Sequence, residues 1–551
     1  MLMRNGAALA AVAGLLLSGP VAAADDPVVT APAGAVEGAR QGEVLAFKGI
    51  PYAVAPIGPN RWRAPLPAVA WQGVRDGHDF GPACIQPTPR VRHLYSVDLG
   101  ATSEDCLTLN VWTPGTTDRA PVMVWIHGGS LTGGSSREPM YDGRRLAERG
   151  IVVVSINYRL GALGYMAHPE LSAESDRGVS GNYGLMDQIA ALRWVQANIA
   201  AFGGDPTNVT VAGESAGALS VMYLMASTEA RGLFHRAIAQ SAYMISMPEL
   251  KRAAHGLPGA EAAGRNVATA LGATDLAALR ATDAQTVIDG AAAAGFGALG
   301  VVDGVYLTDQ LPAVFERGAQ AHVPILTGFN SGEIRSLRVL APPRPDTAAE
   351  YERMIHARYN DLAAEFLRLY PASALDESSL AAARDALYGW TAERLARSQI
   401  AAGQPAYLYL WDHGYEPADG LGLHAFHGSE LPYVFGTPDR TPPLWPKIPD
   451  AASETGLSRT VIDYWTAFVR EGRPSARGAP EWPQFREGRA YIRFADTPRP
   501  ATDLMPGMFV LHERSVCRRR ISGDMAWNWN VGTASPVLPG PSPACDRPDA
   551  R

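Results

Sequence analysis

The apolar run Val209-Thr210-Val211-Ala212 leads straight into Gly213-Glu214-Ser215-Ala216-Gly217, and the helix-prone stretch Ala218-Leu219-Ser220-Val221-Met222 follows at once. A strand, a sharp turn and a helix in that order present the central serine as a nucleophile at the tip of the turn. Such a turn forces the serine into a strained backbone conformation. A side chain at either flanking glycine would collide with the strand or the helix beside it. A chain built around this pentapeptide has to layer helices on a sheet, with Ser215 at a strand's carboxyl end.

The surrounding sequence repeats the strand and helix pattern. Val122 to Ile126 and Ile151 to Ile156 are continuous apolar strand candidates, and Gly184 to Ile199 carries apolar residues at helical spacing. Apolar strands alternating with helices imply a parallel sheet covered on both faces. Residues 27 to 75 read as short strands broken by Pro and Gly, residues 346 to 402 as mostly helical, and the tail from about 530 as irregular. No internal repeat and no domain-separating linker is visible, so residues 25–551 read as one domain. Gly295-Phe296-Gly297-Ala298-Leu299-Gly300 matches a dinucleotide-binding fingerprint, but an alanine run precedes it in place of a strand, so it reads as a loop.

Composition removes several function classes. The formal charge of −7 is mild and the basic residues are scattered, which argues against a nucleic-acid partner. No Cys-x-x-Cys and no His-Glu-x-x-His occurs, and no metal or cofactor is expected. Arg4, the apolar run Ala7 to Leu17, Gly19-Pro20 and Ala22-Ala23-Ala24 read as a secretory signal peptide over residues 1–24, cleaved after Ala23 or Ala24. No later stretch approaches the ~20 apolar residues of a membrane helix, so no membrane anchor is expected and the mature protein is read as secreted or periplasmic. In such an oxidising compartment the four cysteines pair locally, Cys84 with Cys106 and Cys517 with Cys545.

A serine hydroxyl needs a base to take its proton, and the base needs an acid to hold its tautomer. His427, in Ala425-Phe426-His427-Gly428-Ser429-Glu430, sits in a glycine-rich loop, and His424 shares that loop as a rival. Glu333 ends Pro324-Ile325-Leu326-Thr327-Gly328-Phe329-Asn330-Ser331-Gly332-Glu333, a strand running into a turn, and Asp303 is the competing acid. His127-Gly128-Gly129-Ser130 follows the strand Val122–Ile126 and offers backbone N–H groups to a developing oxyanion, with Ala216 completing the set.

The chain strongly resembles the type-B carboxylesterase family, which includes cholinesterases and bacterial para-nitrobenzyl esterases, over nearly all of its mature length. The resemblance is carried by Phe47-Lys48-Gly49-Ile50-Pro51-Tyr52-Ala53, Arg61-Trp62-Arg63-Ala64-Pro65, Ser103-Glu104-Asp105-Cys106-Leu107-Thr108-Leu109-Asn110-Val111, Gly181-Asn182-Tyr183-Gly184-Leu185-Met186-Asp187-Gln188 and Phe202-Gly203-Gly204-Asp205-Pro206. It implies an α/β-hydrolase fold, with a large mostly parallel central sheet flanked by helices, N-terminal antiparallel strands and helical insertions. It selects Ser215, Glu333 and His427 as the catalytic triad, Gly129, Ser130 and Ala216 as the oxyanion hole, and the pairing Cys84–Cys106. Behind the triad it places Glu214, Ser241 and Glu430. Three positions depart from the family pattern: Ser130 stands where a third glycine is usual, and Gly332 and Ile334 replace an Asp and a Gly beside Glu333.

The expected activity is hydrolysis of a small carboxylic ester through an acyl-enzyme on Ser215, by a monomer or small homo-oligomer. Lactonase, thioesterase and amidase chemistry, or a non-catalytic binding role on the same fold, are the alternatives. The loop from Ile85 to Asp105 lacks the tryptophan with which cholinesterases stack a quaternary ammonium, so choline esters are not expected. It carries Arg90, Arg92, His93 and Tyr95, a basic rim for carboxylate-bearing esters or simply solvated surface charge. Leu131, Tyr243, Phe296, Leu337 and Phe426 lie near the motifs and are candidate pocket walls.

Overall fold

In the computed structural model the described residues are 26–89, 91–117, 119–486, 488–528 and 531–546; the expected signal segment and Arg90 lie outside them. Eleven strands form one sheet: β1 (Ala39–Gln41), β2 (Val44–Pro51), β3 (Thr108–Thr113), β4 (Ala120–Ile126), β5 (Val152–Ile156), β6 (Gly204–Glu214), β7 (Arg236–Gln240), β8 (Ile325–Asn330), β9 (Ala406–Trp411), β10 (Tyr491–Phe494) and β11 (Pro498–Ala501). Their spatial order is β11-β10-β9-β8-β7-β6-β4-β5-β3-β2-β1. Neighbours from β5 across to β10 run parallel, and the pairs at both edges run antiparallel. The N-terminal strands divide between two sheets, since Val28–Ala31, Gly34–Glu37 and Val74–Asp76 form a separate three-stranded sheet.

β4, β5, β7 and β8 are buried along nearly their whole length, and β6 from Val209 on, because helices cover both faces. Alternate residues of β4 serve different cores: Val122, Val124 and Ile126 face one, Met123 and Trp125 the other. The first core is closed by α1 (Tyr183–Asn198) and α2 (Ala216–Ala226), through residues such as Leu185, Leu192, Leu219 and Met222. The helical stretch after residue 346 includes α3 (Leu375–Arg384) and α4 (Trp390–Ala401), joined by a π-helical turn, Asp385–Gly389. The second core is closed by α5 (Ala452–Glu471), through Val461, Trp465 and Phe468.

Near the end of the chain, α6 (Met508–Ser522) carries Cys517, which is disulfide-bonded to Cys545. Beside this bond the buried Arg518 side chain is held between Asp361 and Asp546, 2.7 and 2.8 Å away. Cys84 and Cys106 form the other disulfide. No helix among the described residues is long and apolar enough to cross a membrane.

Candidate active site

Ser215 sits at the carboxyl end of β6, near the centre of the sheet, with φ 56° and ψ −120°. Its N–H donates to the Gln240 carbonyl at 2.9 Å, and its own carbonyl accepts from Leu219 N–H in the first turn of α2. A Cβ on Gly213 would lie 2.5 Å from the Gly217 carbonyl carbon, and one on Gly217 would lie 2.0 Å from the Ile126 oxygen. Both glycines of the pentapeptide are therefore sterically required.

β8 leads into the segment that carries Glu333, the acid expected from the sequence. Glu333 is fully buried at the start of the short helix Glu333–Ser336, and one of its oxygens accepts the Asn330 N–H at 2.9 Å. Its other oxygen makes a short hydrogen bond with His427 Nδ1. A carboxylate at Nδ1 holds the proton there and leaves Nε2 as the basic nitrogen. The Asn330 amide donates to the Phe426 carbonyl at 2.8 Å and to Glu430 at 2.7 Å, fastening the histidine loop to the end of β8. Gly332 donates to the Ala425 carbonyl at 2.9 Å, and a Cβ there would lie 2.8 Å from the carbonyl oxygens of Leu423 and Ala425. That close approach accounts for glycine at 332, one of the departures noted in the sequence.

Glu214 is buried between the loop after β4 and the histidine loop. One oxygen lies 3.1 Å from His427 Nε2 without an aligned hydrogen bond, and the other would lie 3.1 Å from a Cβ on Gly128. Burial lifts the Glu214 pKa to about 8, with Glu430 and Glu333 adding to the rise against the pull of His427. Burial pulls the His427 pKa down, but Glu214 and Glu333 more than reverse this and raise it to about 9. Burial also raises Glu430, although Asn330 and Gln240 hydrogen-bond to it. The Gln240 side chain donates to Glu430 at 2.9 Å and accepts from the Trp465 indole at 3.0 Å. Ser241 lies just beyond β7 with φ 49°, and its buried hydroxyl finds no partner among the described residues.

The loop after β4 passes directly over the nucleophile, since a Cβ on Gly128 would be 3.3 Å from Ser215 Cβ. Gly129 and Ser130 have φ values of 100° and 58°, and their N–H groups donate to no protein acceptor among the described residues. The N–H of Ala216, at the amino end of α2, is free in the same way. Only glycine fits at 129, where a Cβ would be 2.3 Å from the Gly133 oxygen, whereas Ser130 is exposed and its side chain has room. Burial lowers the His127 pKa to about 4, and the ring stacks on Tyr158 with centroids 4.6 Å apart.

The rivals are employed elsewhere. His424 is partly exposed and bonds to Asp419 at 2.8 Å. Asp303 accepts the N–H groups of Val305, Tyr306 and Leu307 and the Asn182 amide, ordering its own loop. Among the candidate pocket walls, Leu131 and Phe426 are fully buried in the cores, whereas Tyr243, Phe296 and Leu337 pack partly buried at the edge of the first core. Arg92 is exposed.

Two tyrosines escaped the sequence reading as partners of His427. Tyr95, from the Cys84–Cys106 loop, donates its hydroxyl to the His427 carbonyl at 2.9 Å and meets the imidazole edge-on. Tyr388, on the π-helical turn, lies with its ring 5.4 Å from the imidazole. No motif spacing links residues so far apart; Tyr95 was noted in the disulfide loop, but as part of its rim and not as a partner of His427.

Comparison with known proteins agrees with this geometry. The model of the carboxylesterase family matches residues 25–505. The chain is 39% identical to the fumonisin B1 esterase of Sphingopyxis macrogoltabida over 86% of this chain and 88% of that protein. It is 35% identical to the para-nitrobenzyl esterase of Bacillus subtilis (strain 168), over 84% of this chain and 93% of that one. A carboxylesterase structure from Geobacillus stearothermophilus superposes with a TM-score of 0.76 at 32% identity, covering 88% of this chain and 99% of its own. A chain with an α/β-hydrolase fold and these relatives belongs to the carboxylesterase family and is a carboxylic ester hydrolase of the serine type.

Proposed function

We propose that the reaction runs through an acyl-enzyme on Ser215, with His427 as base and Glu333 as the acid that orients it. The observation that carries this reading is the buried Glu333–His427 Nδ1 hydrogen bond beside a serine held at φ 56° on a strand-to-helix turn. His427 Nε2 takes the Ser215 proton as the hydroxyl oxygen attacks the ester carbonyl, and the oxyanion rests on the N–H groups of Gly129, Ser130 and Ala216. The imidazolium gives that proton to the leaving alcohol. A water, deprotonated by His427, then attacks the acyl carbon, the bond to Ser215 Oγ breaks, and the imidazolium returns its proton to Ser215 as the acid leaves. Ser130 serves as donor through its backbone, so its side chain does not disturb the role.

The names of the relatives are those of enzymes acting on fumonisin B1 and para-nitrobenzyl esters. For this chain they support esters with bulky substituents. The signal-like segment and the two disulfides support an exported enzyme; a mature protein beginning at Ala24 or Asp25 would bear this out, and a retained leader would count against it.

The test is hydrolysis of para-nitrophenyl esters from acetate to laurate by wild type and Ser215→Ala. Loss of at least about 10⁴-fold in kcat in the variant is expected for removal of a triad serine. Wild-type turnover by Ser215→Ala would overturn the assignment.

A further inference from the structure

Tyr388 is 2% exposed, yet its hydroxyl makes no hydrogen bond with any described residue and is not sealed in the interior. Buried tyrosine hydroxyls normally find a partner, and Tyr95, which also meets the His427 ring, does so with its hydroxyl. Tyr243 repeats the exception. It is half-buried, its ring stands edge-on to Tyr388 with centroids 6.0 Å apart, and its hydroxyl is likewise unpartnered among the described residues. Two free phenol groups thus belong to adjoining rings, and the Tyr388 ring is the one beside the imidazole.

Their placement is rigid. The turn Asp385–Gly389 that carries Tyr388 is π-helical, a local widening that recurs at functional sites because it re-aims a side chain. Asp385 anchors it, accepting from Arg384 at 2.7 Å and from the Tyr370 hydroxyl at 2.9 Å. The Thr391 hydroxyl donates to the Leu387 carbonyl at 2.7 Å and accepts the Met244 N–H at 3.0 Å. Thr391 therefore fixes the residue before Tyr388 and the residue after Tyr243 in one linkage. A π-helical turn and a cross-link thus hold the two tyrosine rings next to each other.

We propose that Tyr388 and Tyr243 form a polar subsite that determines specificity by hydrogen-bonding a second, uncharged oxygen of the substrate, an ether, hydroxyl or carbonyl a few bonds from the scissile ester. Burial and the nearby Glu333 and Glu214 carboxylates hold the Tyr388 phenol protonated, so it donates. The same carboxylates disfavour an anionic substituent at this place. The inference rests on the serine-esterase reading of the site and deepens it by naming a substrate feature.

The test compares isosteric ester pairs in which one CH₂ is replaced by oxygen. On the acyl side these are para-nitrophenyl hexanoate and 3-ethoxypropanoate; on the alcohol side, pentyl and 2-ethoxyethyl acetate. The readout is the kcat/KM ratio within each pair, corrected for hydroxide-catalysed rates, for wild type, Tyr388→Phe and Tyr243→Phe. Wild type is expected to favour the oxygen-containing ester of at least one pair by about three- to tenfold, the effect of one neutral hydrogen bond, and Tyr388→Phe to abolish that preference. A merely structural role would slow both members of a pair alike and leave the ratio unchanged. Ratios equal in wild type and Tyr388→Phe for both pairs would overturn the proposal, as would a stronger preference for para-nitrophenyl hydrogen glutarate. Ser215→Ala in parallel keeps failure of the subsite distinct from failure of the nucleophile assignment, since only the latter leaves turnover of every ester intact in that variant.

Discussion

At residue 217 the elbow leaves no space even for a methyl group, because the Ile126 carbonyl already occupies it. Gly217→Ala has to displace either β4 or the start of α2. Overpacking of that kind costs about 1–3 kcal/mol, and a shift of the Ser215 and Ala216 backbone removes activity as well; thermal unfolding and kcat/KM measured on one sample will show both losses together. Glu214→Gln acts through charge. His427 is a base only when neutral, and with its pKa lifted to about 9 the rate climbs with pH through that value. Removing the Glu214 carboxylate, the largest of the raising influences, will move the rising limb of the kcat/KM profile to lower pH by about one unit or more. Ser215 was legible from its own pentapeptide, whereas Glu333 and His427 became legible, over Asp303 and His424, only through the family resemblance. The Nε2–Glu214 approach was not, since motif position says nothing of where a carboxylate turns in the folded interior.

Among the elements, the Cys84–Cys106 loop touches both sides of the site. Gln86 exchanges hydrogen bonds of 3.2 and 3.1 Å with the Gly134 backbone, at the end of the loop that carries Gly129 and Ser130. Further along, Tyr95 holds the carbonyl of His427. The same hydroxyl also lies 2.7 Å from the Ser336 hydroxyl as its donor, so one phenol proton is shared between two acceptors. Tyr95→Phe leaves the His427 carbonyl and the half-buried Ser336 hydroxyl without this donor, a penalty of about 1–3 kcal/mol, and a fall of about tenfold in kcat is expected, with KM little changed. The principal strands and α1 could be read from apolar runs and helical spacing. The short strands β10 and β11 and the π-helical turn could not, because they owe their form to neighbours already in place.

On the scale of the whole molecule, the tail is tied to α6 by a disulfide that involves none of the segments carrying Ser215, Glu333 and His427. The Cys517–Cys545 bond closes a separation of 28 residues, worth about 3–4 kcal/mol in the chain-entropy account. Replacing both cysteines by serine will lower the midpoint of thermal unfolding while leaving kcat/KM of the folded enzyme unchanged. Local pairing of the cysteines was readable from their order along the chain. The seating of Arg518 between Asp361 and Asp546 was not, for it joins segments that meet only in the folded state.

The Ser215 amide donates to the end of β7 from the middle of an eleven-stranded sheet. Such a proton exchanges with solvent only when the sheet comes apart, whereas loops fray at a fraction of that free energy. The nucleophile therefore belongs to the most slowly opening part of the molecule, and the disulfide loop bearing Tyr95 to a shallower layer. On warming, the enzyme will lose its orderly turnover while Ser215 still stands on its turn, ready to be titrated by an organophosphonate until the last cooperative unit dissolves.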